Sequence, residues 1–186
     1  MKILHTADWH LGKSLYGRSL LEDQKWFLDS FLLPLLEREH PDALVVAGDL
    51  FDRQVPPVEA ITLLDDFYTQ LHKMGIPLIA VAGNHDGAKR LSLGSTLLRQ
   101  SGIILATRPE ELFHPIELET ASGKICFWTL PFCEPAQIRE LLEQEELHSM
   151  DEAFRAMIEK VEPKEGAVNV LVTHCFGSTF SIIARN

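Results

Sequence analysis

Two segments of the chain share one pattern: ALVVAGDLFD at residues 43–52 and PLIAVAGNHD at residues 77–86. In each, an apolar run of strand length leads into a glycine and then into polar side chains. Apolar residues that follow one another without polar alternation are typical of parallel strands buried on both faces of a sheet. The two segments therefore predict strands of an α/β sheet that carry polar side chains at their carboxyl ends.

The same alternation of strand-length runs and longer helical segments extends along the chain and indicates one α/β domain. Strands are predicted at residues 2–6, 43–47, 77–82, 103–106, 124–130 and 168–173. Helices are predicted at about residues 20–38, 57–74, 88–99, 135–146 and 150–161. Pro57 suits a first helical turn and Gly75 suits a helix end. Weak turn signals at Ser122-Gly123 predict a hairpin between residues 114–119 and 124–130.

The composition excludes several classes of protein. With 186 residues, 46% of them hydrophobic, the chain can form one globular domain with a hydrophobic core. Seventeen Lys and Arg against 27 Asp and Glu give a formal charge of -10, so a polyanionic substrate must be held locally. No apolar run approaches a membrane span of roughly 18 residues, and no secretory signal is evident, so we expect a cytoplasmic protein without a membrane partner. Three cysteines without zinc-site spacing are expected to be reduced and mostly buried.

Polar residues that can bind metal follow four of the predicted strands. They are Asp8-Trp9-His10, Gly48-Asp49, Gly83-Asn84-His85-Asp86 and Thr173-His174. Ligands bind beyond the carboxyl ends of the strands in an open α/β sheet, so we expect these residues at one edge. Together, their oxygen and imidazole donors favour Mn, Fe or Zn.

Each motif taken alone also has a second interpretation. Asp8 and His10 would point to one side of extended backbone and hold one ion, but such pairs are often solvated. Asp49 has two oxygens and could bridge two cations, or it could cap a turn or a helix.

The two later motifs are equally open when taken singly. Asn84 offers an amide oxygen, His85 a titratable proton donor, and Asp86 a partner that orients His85 or a cap for the following helix. His174 could be a metal ligand or a satisfied core histidine. The conjunction of four strand ends favours the metal-binding interpretation of all of them.

Longer stretches around these residues resemble a known family. DWHLG at residues 8–12, GDLFD at 48–52, GNHD at 83–86 and VTH at 172–174 are similar to the signature of calcineurin-like metallophosphoesterases. HTADWHLGK, VVAGDLFDR, VAGNHD and LPFCEPAQI further resemble the SbcD family, the nuclease subunits of bacterial SbcCD complexes. The resemblance implies an αββα sandwich whose first half is present in this chain.

The resemblance also implies a site with two divalent metal ions, for which Mn is expected. It assigns Asp8 and His10 to the first ion, Asp49 to a bridge, and Asn84 and His174 to the second ion. His85 matches the proton donor to the leaving oxygen. The implied activity is DNA cleavage, as a double-strand exonuclease and single-strand endonuclease in repair, with an SbcC-like ATPase as partner. It further implies a homodimer formed by the helices that follow the second and third motifs.

One part of the family pattern is not found. The last motif, Gly-His-x-His, gives one histidine to each ion, and the chain stops at Asn186 before any such motif. Residues 177–186, GSTFSIIARN, depart from the family's continuation. We therefore expect an incomplete nuclease domain at residues 1–176, either truncated or altered in its C-terminal half or a naturally short form, whose catalytic competence is open.

Two other functions remain open at this point. One is a small-nucleotide or phosphoprotein phosphoesterase on the same scaffold, and the other is a metal-poor interaction module. Basic residues in the loops after the motifs would contact phosphate or would be ordinary surface charge; they are Lys13, Arg18, Arg53, Lys89 and Arg90.

Overall fold

The structure, a computed structural model, describes residues 1–175. Within this range the strands and α-helices are β1 (Ile3–Thr6), β2 (Ser14–Leu15), β3 (Arg18–Ser19), α1 (Leu21–Phe27), α2 (Leu33–Glu39), β4 (Ala43–Ala47), α3 (Val58–Met74), β5 (Leu78–Val81), α4 (Ala88–Leu91), α5 (Ser95–Gln100), β6 (Ile103–Ala106), β7 (Ile116–Thr120), β8 (Gly123–Leu130), α6 (Pro135–Leu142), α7 (Met150–Ile158) and β9 (Ala167–Thr173). None of these helices has the length and apolar character needed to cross a membrane. The divergent tail expected at residues 177–186 lies outside the described residues.

Two sheets contain the long strands. The first is parallel with the order β1-β4-β5-β6, and its register places Val45 beside His5 on one side and Ile79 on the other. The second has the order β7-β8-β9, in which β8 pairs antiparallel with β7 and parallel with β9. All six predicted strands are confirmed within one residue at each end, and so is the predicted hairpin, since β7 and β8 pair directly.

The two sheets pack face to face, with a helical layer on each outer side. Because side chains alternate along a strand, one face of the first sheet presents Val45 and Ile79 to Ile125 and Phe127 of the second sheet. Its opposite face packs against α1, α2 and α3. Trp128, on the outer face of β8, packs with α6 and α7. The described residues therefore contain all four layers of the expected αββα sandwich.

Two predicted helices differ from the structure because a residue adopts left-handed backbone. The single helix predicted at residues 88–99 is wrong, since Gly94, with φ of 75°, separates α4 from α5. The helix predicted at residues 135–146 ends at Leu142, where Glu143 adopts φ of 55°. Helix α3 agrees closely with its prediction, beginning after Pro57 and ending at Gly75 in left-handed conformation.

The helix predicted at residues 20–38 is divided, and a hairpin before it was missed. A π-helical turn at Leu28–Leu32 joins α1 to α2 directly before Pro34, which has no N–H for a regular helical bond to the previous turn. Strands β2 and β3 form a short hairpin around Tyr16 and Gly17, which both have positive φ, as a type I′ turn requires.

The cysteines agree with the prediction made from their number and spacing. All three are free, Cys126 and Cys133 are buried, and Cys175 is partly exposed. Burial raises the pKa of the Cys133 thiol to about 12, so this thiol is protonated at neutral pH.

The packing between the sheets predicts that Phe127→Ala strongly lowers the stability of the fold. Phe127 is 0% exposed, so its truncation leaves a cavity between the two sheets, and we expect a loss of about 3–5 kcal/mol of unfolding free energy. The control is Val168→Ala on β9, where the side chain is 48% exposed and the expected change is within about 0.5 kcal/mol. Urea unfolding monitored by circular dichroism measures both. Equal midpoints would show that the sheets do not share this core.

Candidate metal centre

The loops after β1 and β4 are hydrogen-bonded to each other and bring the first motifs together. The Asp8 N–H donates to the Gly48 carbonyl over 3.1 Å, and the His10 N–H donates to the Asp49 carbonyl over 2.9 Å. Since β4 and β5 are also adjacent, the GNHD loop lies on the other side of Asp49. The candidate residues therefore share one edge, as predicted.

The backbone of these loops is not the extended chain that the sequence suggested. Asp8 has φ of 56°, His10 46° and Asp49 51°, all in the left-handed region. The expectation that extended backbone directs the side chains of Asp8 and His10 to one side is therefore wrong, because neither residue is extended. A non-glycine residue in this region costs about 1–2 kcal/mol, which the surrounding hydrogen bonds must offset. Such strain is concentrated at functional sites.

Asp49 lies at the centre of the site. Its side chain is almost completely buried, and its Oδ1 accepts a hydrogen bond of 2.9 Å from the His85 N–H. Its Oδ2 lies 3.5 Å from His10 Nε2 and 3.6 Å from His174 Nε2. One carboxylate oxygen is thus held by the protein, while the other lies between two imidazoles.

His174 and Asn84 approach Asp49 from the second side. His174 Nδ1 lies 2.9 Å from the Ala47 carbonyl, which can only accept, so Nδ1 carries the proton. In the neutral ring, the Nε2 lone pair then faces Asn84 Oδ1 at 3.0 Å as well as Asp49 Oδ2. Three electron-rich atoms at these distances are favourable only with a proton or a cation among them. This donor set therefore fits a metal ion.

His10 provides the corresponding imidazole on the first side. Its Nε2 lies 3.9 Å from Asp8 Oδ1 in addition to its approach to Asp49. Its Nδ1 is buried and has no hydrogen-bond partner among the described residues, although Asp52 Oδ1 lies 3.5 Å away. Asp52 also lies 3.7 Å from Lys13 Nζ. Sequence reasoning did not assign a role to Asp52, although the second aspartate of GDLFD was a usable signal.

His85 lies beside His10, held by a different contact from the one predicted. Its Nδ1 is 2.8 Å from the Asp52 carbonyl, so this nitrogen is the N–H donor, and its ring meets that of His10 edge-on with centroids 4.7 Å apart. Asp86 does not hydrogen-bond His85, and the expectation that it orients this histidine is wrong. The Asp52 carbonyl does so instead.

Asp86 ties the loops of β4 and β5 together. Its buried carboxylate accepts hydrogen bonds from the N–H groups of Leu50 (3.1 Å), Phe51 (2.9 Å) and Gly83 (2.9 Å). Burial raises the pKa of Asp86, and the three N–H donors oppose that rise. The alternative of a helix cap is also wrong, because Asp86 bonds backward to the strand ends.

Two groups of side chains have the spacing needed for an ion, with ligand atoms within 4.8 Å of one another: Asp8, Asp49 and His174, and His10, Asp52 and His85. The grouping that the resemblance implies paired Asp8 with His10 and Asn84 with His174. The spatial groups instead place Asp8 with His174 and bring in Asp52 and His85. Glycines leave room for these side chains. A Cβ at Gly48 would overlap the His174 ring, and one at Gly83 would overlap the Asp49 carboxylate.

Comparison with known proteins agrees with this geometry. The family model described as Calcineurin-like phosphoesterase matches residues 1–177. A Staphylococcus epidermidis protein, named as a subunit of the nuclease SbcCD, is 40% identical over 177 residues, which cover 94% of this chain and 46% of that protein. The chain thus spans about half the length of this curated relative.

The contact between Gly48 and His174 predicts that Gly48→Ala weakens divalent metal binding at least tenfold. Its Cβ would displace the His174 ring in addition to straining a backbone with φ of 87°. The matched control is Gly17→Ala, which has φ of 78° but no atom within 4 Å of the added Cβ. It should lose only about 1–2 kcal/mol of stability. Calorimetric titration with Mn, after circular dichroism has confirmed folding, separates the two variants; equal metal affinities would contradict the arrangement.

Proposed function

We propose that this chain, which belongs to the calcineurin-like phosphoesterase family, carries the metal centre of a DNA phosphodiesterase. The observation that supports this most directly is Asp49 Oδ2, which lies within 3.6 Å of a histidine nitrogen on each side. A buried carboxylate in this position suits a bridge between two divalent ions. The proposed activities are double-strand exonuclease and single-strand endonuclease cleavage in DNA repair.

The proposed ligands keep the assignment that the family resemblance implies, with Asp49 between two ions. Asp8 and His10 would hold one ion with Asp49, and Asn84 and His174 would hold the other. When bound, the two ions polarise the phosphodiester and lower the pKa of a water molecule to form the nucleophile. Mn is proposed because mixed carboxylate, amide and imidazole donors suit it.

His85 is the proposed general acid. Hydrolysis adds a water oxygen to phosphorus and breaks the bond to the leaving oxygen, which must take up a proton. The Asp52 carbonyl fixes the Nδ1 proton of His85, so a second proton on Nε2 is the one available for transfer. The neighbouring ring of His10 limits how far His85 can turn.

DNA as substrate and an SbcC-like ATPase as partner are proposed from the relative's name, which describes a nuclease and a component of SbcCD. The formal charge of -10 requires local attraction of DNA. Arg18, Arg53, Lys89 and Arg90 make no ion pair within residues 1–175, whereas Lys13 is paired with Asp52. A cytoplasmic location is proposed on the three free cysteines.

The role of His85 predicts that His85→Asn lowers turnover about 10²–10⁴-fold, the usual contribution of general acid catalysis. Metal affinity should stay within a few-fold of the wild type, because the proposed acid is not a ligand. Hydrolysis of bis(p-nitrophenyl) phosphate and of a labelled oligonucleotide with Mn measures turnover, and calorimetry measures binding.

The comparison variant is Asp49→Ala, which removes the bridge and should abolish Mn binding together with activity. Loss of metal from His85→Asn as well would identify His85 as a ligand and overturn its assignment. Hydrolysis of the small diester without hydrolysis of DNA would favour the small-substrate phosphoesterase.

A homodimer is proposed through α3, α4 and α5. Val58 and Ile61 on α3 are exposed. Leu93, in the turn between α4 and α5, and Leu97, on α5, are exposed as well. These four apolar side chains are not covered by the sheet of their own chain. A second copy related by a two-fold axis would cover them with the same surface.

The dimer predicts that Leu97→Asp dissociates the protein. Leu97 is 70% exposed, so an aspartate at this position should not disturb the fold of one chain. Sedimentation equilibrium at micromolar concentration should give twice the chain mass for the wild type and 21.0 kDa for the variant. Val168→Asp, at a 48% exposed position of β9 outside this surface, is the control and should remain dimeric. A wild type that sediments at the single-chain mass would contradict the proposal.

A further inference from the structure

Gln24 on α1 is hydrogen-bonded to the loop that carries His10. Its side-chain amide donates through Nε2 to the Trp9 carbonyl over 3.1 Å and to the His10 carbonyl over 2.8 Å. Its Oε1 accepts a hydrogen bond of 3.0 Å from the Gly12 N–H. Both amide N–H groups and the amide oxygen are therefore engaged with one short segment of backbone. Gln24 lies outside the motifs that carry the family resemblance.

The same loop, residues 8–12, is held on its other side by the loop after β4. The N–H groups of Asp8, His10 and Leu11 donate to the carbonyls of residues 48–50. Among residues 1–175, Gln24 is the one side chain that hydrogen-bonds the backbone of this loop. The loop thus lies between backbone carbonyls on one side and a single side-chain amide on the other.

Of the three imidazoles at the site, that of His10 depends most on its backbone. His174 and His85 each have Nδ1 against a backbone carbonyl, at 2.9 Å and 2.8 Å. Metal-binding histidines are usually oriented by such a hydrogen bond at the second ring nitrogen. His10 Nδ1 has no hydrogen-bond partner within the described part of the chain. The direction of the His10 ring therefore depends on a backbone with φ of 46°, whose carbonyl Gln24 holds.

We infer that Gln24 is a positioning residue for the ion that Asp8 and His10 would hold. By fixing the backbone of His10, it keeps His10 Nε2 at 3.5 Å from Asp49 Oδ2. The second ion does not depend on Gln24, because a backbone carbonyl of β4 holds His174. This inference rests on the proposed function and adds that metal affinity at the two ion positions is controlled separately.

Two substitutions separate the hydrogen bonds of Gln24 from its volume and charge. Gln24→Met keeps the length of the side chain and removes all three hydrogen bonds. Gln24→Glu can still accept the Gly12 N–H, but it cannot donate, and it places a carboxylate oxygen against two carbonyl oxygens. The added negative charge by itself would attract divalent cations, so charge cannot account for a loss of metal affinity in Gln24→Glu.

The matched controls are Gln70→Met and Gln70→Glu. Gln70 is partly exposed, as Gln24 is, and lies near the carboxyl end of α3, at the opposite edge of the sheet from the site. Its side chain makes no hydrogen bond among residues 1–175. The controls therefore make the same chemical changes on a helix without touching the loop.

The first test measures the hydrogen bonds of Gln24 without metal. Exchange of the Gly12 amide with deuterated solvent is followed by NMR in EDTA, after circular dichroism has confirmed folding. In Gln24→Met, we expect this amide to exchange at least tenfold faster than in the wild type, and its acceleration to exceed that of the Val46 amide in β4 at least fivefold. Gln70→Met should leave the Gly12 rate within twofold. Equal acceleration at Gly12 and Val46, or an unchanged Gly12 rate, would overturn the inference.

The second test asks which ion depends on Gln24. In calorimetric titration with Mn, Gln24→Met and Gln24→Glu should weaken one binding event at least tenfold and leave the other within twofold of the wild type. His10→Ala should weaken the same event, and His174→Ala the other. Gln24→Met combined with His10→Ala should bind Mn no more than threefold more weakly than His10→Ala alone, because both changes act on one ligand. Equal weakening of both events, or additive effects of Gln24 and His10, would overturn the inference.

Failure of this inference is distinguishable from failure of the proposed function. Mn binding that survives Asp49→Ala would reject the proposed metal centre, whatever the exchange rate of the Gly12 amide. Mn binding that is lost in Asp49→Ala but is identical in Gln24→Glu and Gln70→Glu would retain the metal centre and reject the role of Gln24.

Discussion

Burial of the Asp49 carboxylate is the constraint on which the rest of this edge depends. A buried charge is costly unless it is paired, and the direct hydrogen bond to this side chain within the described residues is the His85 N–H. Two imidazoles face its other oxygen, and each has a further acceptor oxygen beside it. Divalent cations satisfy all of these donor atoms at once. The arrangement thus favours metal binding over a scaffold that uses the same fold without ions.

Asp86 is the structural counterpart of Asp49. Its carboxylate holds three backbone N–H groups and thereby fixes the loops after β4 and β5 relative to each other. Left-handed backbone at Asp49 persists only where neighbouring contacts determine it. One aspartate of the site is therefore the proposed metal ligand, and another maintains the backbone that positions it. Their different hydrogen-bond partners, rather than their residue type, separate the two functions.

Prediction from sequence succeeded where local pattern determines structure. The apolar runs identified β4, β5 and β6 because a strand buried on both faces needs no tertiary information to be recognised. It failed where single residues take left-handed backbone, as at Gly94 and Glu143. At the site, the sequence showed which residue types could act as donors, but it did not show that the backbone around Asp8 and His10 is left-handed. That conformation arises from hydrogen bonds to the β4 loop, some forty residues away. The partner of Asp86 was misjudged for the same reason.

The two histidines His85 and His174 show how surroundings divide similar groups between roles. In both, a backbone carbonyl accepts from Nδ1, so both present Nε2 to the site. Nε2 of His174 faces Asn84 Oδ1 and Asp49 Oδ2, where a lone pair requires a cation. Nε2 of His85 has no hydrogen-bond partner among the described residues, so it can carry a proton and release it. Because a ligand must stay deprotonated and an acid must not, this difference in neighbouring oxygens is the physical reason for proposing His174 as a metal ligand and His85 as the proton donor.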